Sequence, residues 1–222
     1  MPLRTGFTAA ALLLLLSAPF PAGQAAASPA FLDGATSKSL DYAIIRNGEV
    51  IGRHSLAFHT DHGTTEVKID ISVKVTALSV PVYVFEQHGV ETWEGDRFKM
   101  LSLSTNDDGE TYHVTAEAAH GRLRLRVNGQ ASEQPDMPLA TLWRAVPQHS
   151  GLLLDPVDGK PFRVDVLDLG EESIPVKGKL TSVRHWAWDG ELKRDLWFDA
   201  FDTLVQVLIK GDDGSNVYYV LK

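Results

Sequence analysis

In residues 66–75 the apolar side chains Val67, Ile69, Ile71, Val73 and Val75 alternate strictly with Glu66, Lys68, Asp70, Ser72 and Lys74. No other stretch limits the fold so tightly. A period of two sends successive side chains to opposite faces of a strand, and no helix gives that period. One apolar and one polar face describe an antiparallel sheet packed on one side, since a doubly covered parallel strand reads as a continuous apolar run. The β-branched residues that fill the apolar face suit a pleated surface.

The same pattern recurs along the chain. Leu40 to Arg46 reads as a strand, Asn47-Gly48 as a two-residue hairpin turn, and Val50 to Phe58 as its return. In that return His54 shares a face with Leu56 and Phe58. Gly89, between Pro81–Phe85 and Val90–Trp93, marks a bulge or corner. Phe98–Thr105 follows, then Tyr112, Val114, Ala116 and Ala118 on one face of the next strand. Leu123, Leu125 and Val127 alternate with Arg122, Arg124 and Arg126 before the turn at Asn128-Gly129. From Ala131 to Pro161 the prolines Pro135, Pro138, Pro147 and Pro156 exclude long strands. Here Leu139–Val146 is expected to form a short helix with Thr141 as its N-cap, in a segment that plugs or covers the sheet. Strands resume at Phe162–Leu169, Ile174–Val183, Arg184–Trp188, Asp195–Ala200, Leu204–Lys210 and Asn216–Leu221. The expectation is an all-β chain: one large, curved antiparallel sheet of roughly a dozen strands, forming an open or closed barrel, with one short helix in the proline-rich insertion.

The first residues follow another logic. Arg4 precedes the apolar run Ala9–Leu16, Pro19 and Pro21 break it, and Ala25-Ala26-Ala27 offers a small-residue cleavage site. Residues 1–27 are therefore read as a signal peptide and 28–222 as one β-barrel-like domain that is periplasmic or secreted. The apolar run falls short of the about 20 residues that span a bilayer, and the mature chain has no longer one. With no cysteine there is no lipid-modified anchor and no disulfide, so the fold rests on its core alone. Without Arg4 the 21 basic residues become 20 against 29 acidic ones, a net charge of −9. That balance argues against nucleic acid as a partner.

Several of these residues also carry a resemblance. Tyr42 followed by Asn47-Gly48-Glu49-Val50-Ile51-Gly52, Leu139-Ala140-Thr141-Leu142-Trp143, Leu154-Asp155-Pro156-Val157-Asp158-Gly159-Lys160, Leu196-Trp197-Phe198-Asp199-Ala200 and the closing Tyr218-Tyr219-Val220-Leu221 resemble a family of secreted bacterial proteins known as domain of unknown function 6134. A more distant similarity is to domain of unknown function 3108, with its aromatic-Asp-Ala near the C-terminus. The resemblance implies a curved, nearly closed antiparallel sheet and no established activity, so no catalytic residue carries over. Phe198 and Leu142 stand where the family pattern commonly has tyrosine and histidine.

Candidate binding residues come from the stretch His185–Ile209, which holds three of the five tryptophans. Trp186 and Trp188 share a strand face, as do Trp197 and Asp199. With Trp143 of the insertion they are the candidate ligand contacts, against the plainer reading of core packing and, for Asp199, of turn capping. Three other patterns read as ordinary surface. His59 and His62 flank a hairpin, the aspartates of Asp155–Gly159 and Asp212–Gly214 suit turns, and the arginine stripe Arg122–Arg126 suits a wet strand face. No nucleophile elbow is present and no metal or cofactor is expected. The function expected is non-enzymatic binding of an apolar or amphipathic ligand in the periplasm. The alternative is an envelope structural or protein-interaction module, and the third reading a hydrolase-like enzyme without a recognisable motif.

Overall fold

The structure, a computed structural model, describes residues 29–144, 150–211 and 213–222. The export segment expected over residues 1–27 lies outside the described residues.

Eight strands follow one another from the N-terminal side: β1 (Ser37–Arg46), β2 (Glu49–Asp61), β3 (Thr64–Ala77), β4 (Val80–Glu94), β5 (Arg97–Asp107), β6 (Glu110–Ala119), β7 (Arg122–Val127) and β8 (Gln130–Pro135). Six more complete the chain: β9 (Gly151–Leu154), β10 (Pro161–Val176), β11 (Lys179–Gly190), β12 (Arg194–Phe198), β13 (Leu204–Lys210) and β14 (Asn216–Leu221). All belong to one sheet in the order β8-β7-β6-β5-β4-β3-β2-β1-β14-β13-β12-β11-β10-β9, and every neighbouring pair is antiparallel. Two meanders thus meet where the first strand pairs with the last.

The sheet is open in its hydrogen bonding, because the edge strands β8 and β9 do not pair with each other. They are nevertheless close. β8 ends at Pro135, and Leu139 already bridges Leu154 on the edge of β9. Four residues span at most about 14 Å, so the sheet curls nearly into a barrel. The segment that crosses the gap turns inward, burying Met137, Leu139, Ala140, Trp143 and Arg144.

The alternation in β3 sets the concave face. Val67, Ile69, Ile71 and Val73 are buried while Glu66, Lys68 and Lys74 are exposed. Register carries that face sideways through Phe58, Val67, Glu91, Leu101 and Ala116, and through His54, Ile71, Gln87 and Thr105. Gly89 lies on the same face, and a Cβ there would stand 2.0 Å from the Ser102 carbonyl oxygen, so the close approach of β4 and β5 requires glycine. A second cluster, Trp188, Leu196, Phe198, Leu204, Val207, Leu153 and Val164, fills the other meander. Tyr42 ties the halves together, its hydroxyl donating to the Leu204 carbonyl at 2.8 Å.

Besides the bulge expected at Gly89, which instead pairs in register with Ile69 and Leu103, the structure departs from the sequence reading in three places. The helix expected over Leu139–Val146 is absent from its described part, and a 3₁₀ turn at Ala30–Leu32 is the one helical element among the described residues. The cause is competition for backbone groups. Ala140 N–H donates to the Leu154 carbonyl and Leu154 N–H to the Pro138 carbonyl, both at 2.9 Å, which holds the segment extended along β9. Second, β10 runs unbroken through the break expected after Leu169. Gly170, at φ +90°, absorbs one extra residue where the register shifts, and the hairpin turn comes at Lys177-Gly178. Third, the proline-rich segment holds two edge strands, Gln130–Pro135 on β7 and Gly151–Leu154 on β10, which bring the strand count to fourteen.

Candidate functional site

β10, β11 and β12 lay down a groove on the concave face. In register Asp168 stands opposite Trp186, and Arg184 opposite Phe198. These four side chains share a face, as cross-strand partners do. With Glu171, Ser182, Asp199 and Asp202 they line a groove of ≈ 580 Å³. Trp186 is half-buried and Phe198 buried, so the floor is apolar and aromatic. The rim is charged. The Arg184 guanidinium lies 5.4 Å from the Trp186 ring centroid and is ion-paired to Asp168. That pair, with the Gly170 N–H at 3.0 Å, holds the Asp168 carboxyl below the usual carboxylate range.

Asp199 both lines the groove and builds the turn beside it. Its Oδ1 accepts the N–H groups of Phe201 and Thr203, at 2.9 Å each, and its own N–H donates to the Thr203 carbonyl at 3.0 Å. The turn-capping role is therefore real, and it fixes the carboxylate at the groove rim.

The remaining sequence candidates lie elsewhere. Trp188 is two residues from Trp186 on the same face but is buried in the second cluster, with the Arg194 guanidinium 5.8 Å from its ring. Trp197 projects from the reverse face of β12. It stacks on His185 at 4.3 Å, and its Nε1–H donates to Glu172 Oε1 at 2.5 Å. His185 has a carboxylate at each ring nitrogen, Glu172 at 3.0 Å and Asp195 at 2.9 Å. These partners come from three strands, so sequence spacing alone does not reveal them. The structure brings together Trp186 and Asp199 and keeps Trp143, Trp188 and Trp197 apart from them.

Trp143 belongs to a knot that anchors the crossing segment. Glu91 is fully buried, and its Oε2 accepts both indole N–H groups, Trp93 at 3.0 Å and Trp143 at 2.8 Å. The Arg144 guanidinium lies 4.1 Å from the Trp93 centroid and pairs with Asp96 at 3.7 Å. Burial pushes the Glu91 carboxyl up, while the two indoles, Thr141 and the Arg144 charge pull the other way. Sequence reading missed Glu91, although its signal was present: Glu91 and Trp93 are two apart in a strand and share a face.

Between this knot and the second meander lies a smaller chamber of ≈ 80 Å³. Its walls combine Leu56, Ile71 and Phe85 with His54, Gln87, Asp155, Arg194 and Tyr219. His54 is 3% exposed, its Nε2 has no hydrogen-bond partner, and burial lowers its pKa to about 4. Arg194 Nε is likewise without a partner. Each such group costs about 1–3 kcal/mol, a cost that water relieves where space allows. Pockets for drug-sized ligands run about 300–1,000 Å³, so the groove is in that class and the chamber is not.

Other candidate patterns are surface features. His59 and His62 are exposed, and no group of three or more histidine and acidic side chains among the described residues is placed to hold a metal ion. Arg122, Arg124 and Arg126 point to solvent. Asp158 accepts the Lys160 N–H in a turn, while Asp155, which accepts the Val157 N–H, is no surface residue but part of the chamber wall. No helix among the described residues is long and apolar enough to cross a membrane.

Comparison with known proteins adds one match. The model of a family described as a domain of unknown function, DUF6134, covers residues 42–222. No curated protein matches the chain.

Proposed function

The chain belongs to the DUF6134 family, a premise that assigns no activity, and from its geometry we propose a non-enzymatic binding protein for a small amphipathic ligand. The observation that carries this reading is the groove of ≈ 580 Å³, with an aromatic floor of Trp186 and Phe198 under a charged rim. An apolar tail packs on the floor and a polar head meets the rim, the division of labour common to ligand pockets. Trp188 packs in the same cluster as Phe198 of the floor, while Trp143 lies in the Glu91 knot and Trp197 on the reverse face of β12. The N-terminal pattern around Arg4, Ala9–Leu16 and Ala25-Ala26-Ala27 supports export to the periplasm, with residues 28–222 working as one unit.

The test is mass spectrometry of the protein purified from its own periplasm, with Trp186→Ala alongside. A small amphipathic molecule that co-purifies with the first and is lost from the second is the expected result. A wild-type protein that neither carries nor takes up any amphipathic molecule removes the reading.

A second reading, an envelope interaction module, has its own observation. The hairpin between β3 and β4 ends in Leu78, fully exposed, followed by Val80 and Val82, also exposed. An apolar tip of this kind suits a protein partner. Loss of a defined complex on Leu78→Asn, with ligand uptake unchanged, is the result that favours it.

A further inference from the structure

We infer that the groove selects a cationic head group, an amine or quaternary ammonium on an apolar tail. This rests on the groove being the binding site. Four carboxylates, Asp168, Glu171, Asp199 and Asp202, line it against one guanidinium, Arg184. Arg184 and Asp168 are already paired and Glu171 stands opposite Arg184 in register, so four carboxylates against one guanidinium leave the groove a surplus of negative charge for an incoming head group.

The groove also holds a cation from its own chain. The Arg184 guanidinium sits 5.4 Å from the Trp186 centroid, with a carboxylate beside it. An aromatic face combined with carboxylates is the arrangement that recognises ammonium groups. A concave, low-dielectric wall of one sign concentrates ions of the opposite sign. An anionic head entering the same space finds three carboxylates and a guanidinium already engaged. Asp199 contributes charge without being able to leave, because the Phe201 and Thr203 N–H groups hold its Oδ1 at the rim.

The experiment compares two probes of equal tail length, dodecyltrimethylammonium and dodecanoate, each titrated below its micelle concentration and followed by calorimetry. The ammonium is expected to bind at least about tenfold more tightly, a difference that shrinks as salt is raised. Glu171→Gln with Asp202→Asn, which leaves the Asp199 turn intact, narrows the gap between the probes. Trp186→Ala weakens both. Equal binding of the two probes, or tighter binding of dodecanoate, overturns the cationic selectivity and leaves the binding reading standing. Binding of neither probe to the folded protein overturns both.

Discussion

Two buried residues respond to pH in opposite directions. His54 has a folded-state pKa of about 4 against 6.5 unfolded, a depressed value. Its contribution is present above pH 6.5 and is lost as pH falls through 4. The shift corresponds to about 3 kcal/mol. His54→Phe, which keeps the stacking position over Tyr42 and removes the unpartnered nitrogen, is expected to flatten the acid limb of a urea-denaturation series between pH 6.5 and 4. An unchanged slope contradicts this. Glu91 has a raised pKa, so its contribution is present when the carboxyl is protonated and declines as pH rises through the folded value. Glu91→Ala strips two buried indole N–H groups of their acceptor, and a loss of about 3 kcal/mol in denaturation experiments is expected. A cost below about 1 kcal/mol means the knot does not hold the crossing segment. The inward position of both residues was legible from strand parity. The sharing of one carboxylate by Trp93 and Trp143 was not, because 52 residues separate Glu91 from Trp143.

At the scale of elements, the strands that sequence located best are those closed by residue-plus-glycine turns. Asn47-Gly48, His62-Gly63, Asp108-Gly109, His120-Gly121 and Asn128-Gly129 all have both residues at positive φ, as tight hairpins demand; Lys177-Gly178 has the same geometry, but the sequence reading carried the strand Ile174–Val183 through it. The β3–β4 hairpin breaks this rule with Leu78 at φ +50° and Ser79 at +66°. Left-handed backbone costs a non-glycine residue about 1–2 kcal/mol. Leu78→Asn with Ser79→Gly is therefore expected to raise stability by about 1–2 kcal/mol, read as a rise in Tm of several degrees. An unaltered Tm contradicts the strain assignment. The crossing segment was misread for a related reason. Its local sequence from Leu139 to Trp143 permits a helix, but the pairing that overrides it comes from Leu154 on another strand. Long-range backbone pairing leaves no mark on local periodicity.

At the scale of the molecule, two meanders share a seam at β1 and β14, and their outer edges are bridged by a buried segment instead of by hydrogen bonds between strands. This explains how a chain without cysteine closes its curved sheet: Trp143 and Arg144 lock onto Glu91 and Trp93 inside. It also divides the concave face. The first meander is filled by aliphatic residues and the crossing segment, while the second keeps a groove open above Trp186 and Phe198. The aromatic stretch that drew attention in the sequence is thus partly core and partly groove floor: Trp186 and Phe198 line the groove, Trp188 on the same face is core, and Trp197 stacks on His185 on the reverse face. The five tryptophans make the central claim directly measurable through their indole N–H resonances. On titration with dodecyltrimethylammonium, the Trp186 resonance is expected to shift saturably while that of Trp143 stays in place. A stationary Trp186 resonance at saturating probe, or a shift confined to Trp143, contradicts the account.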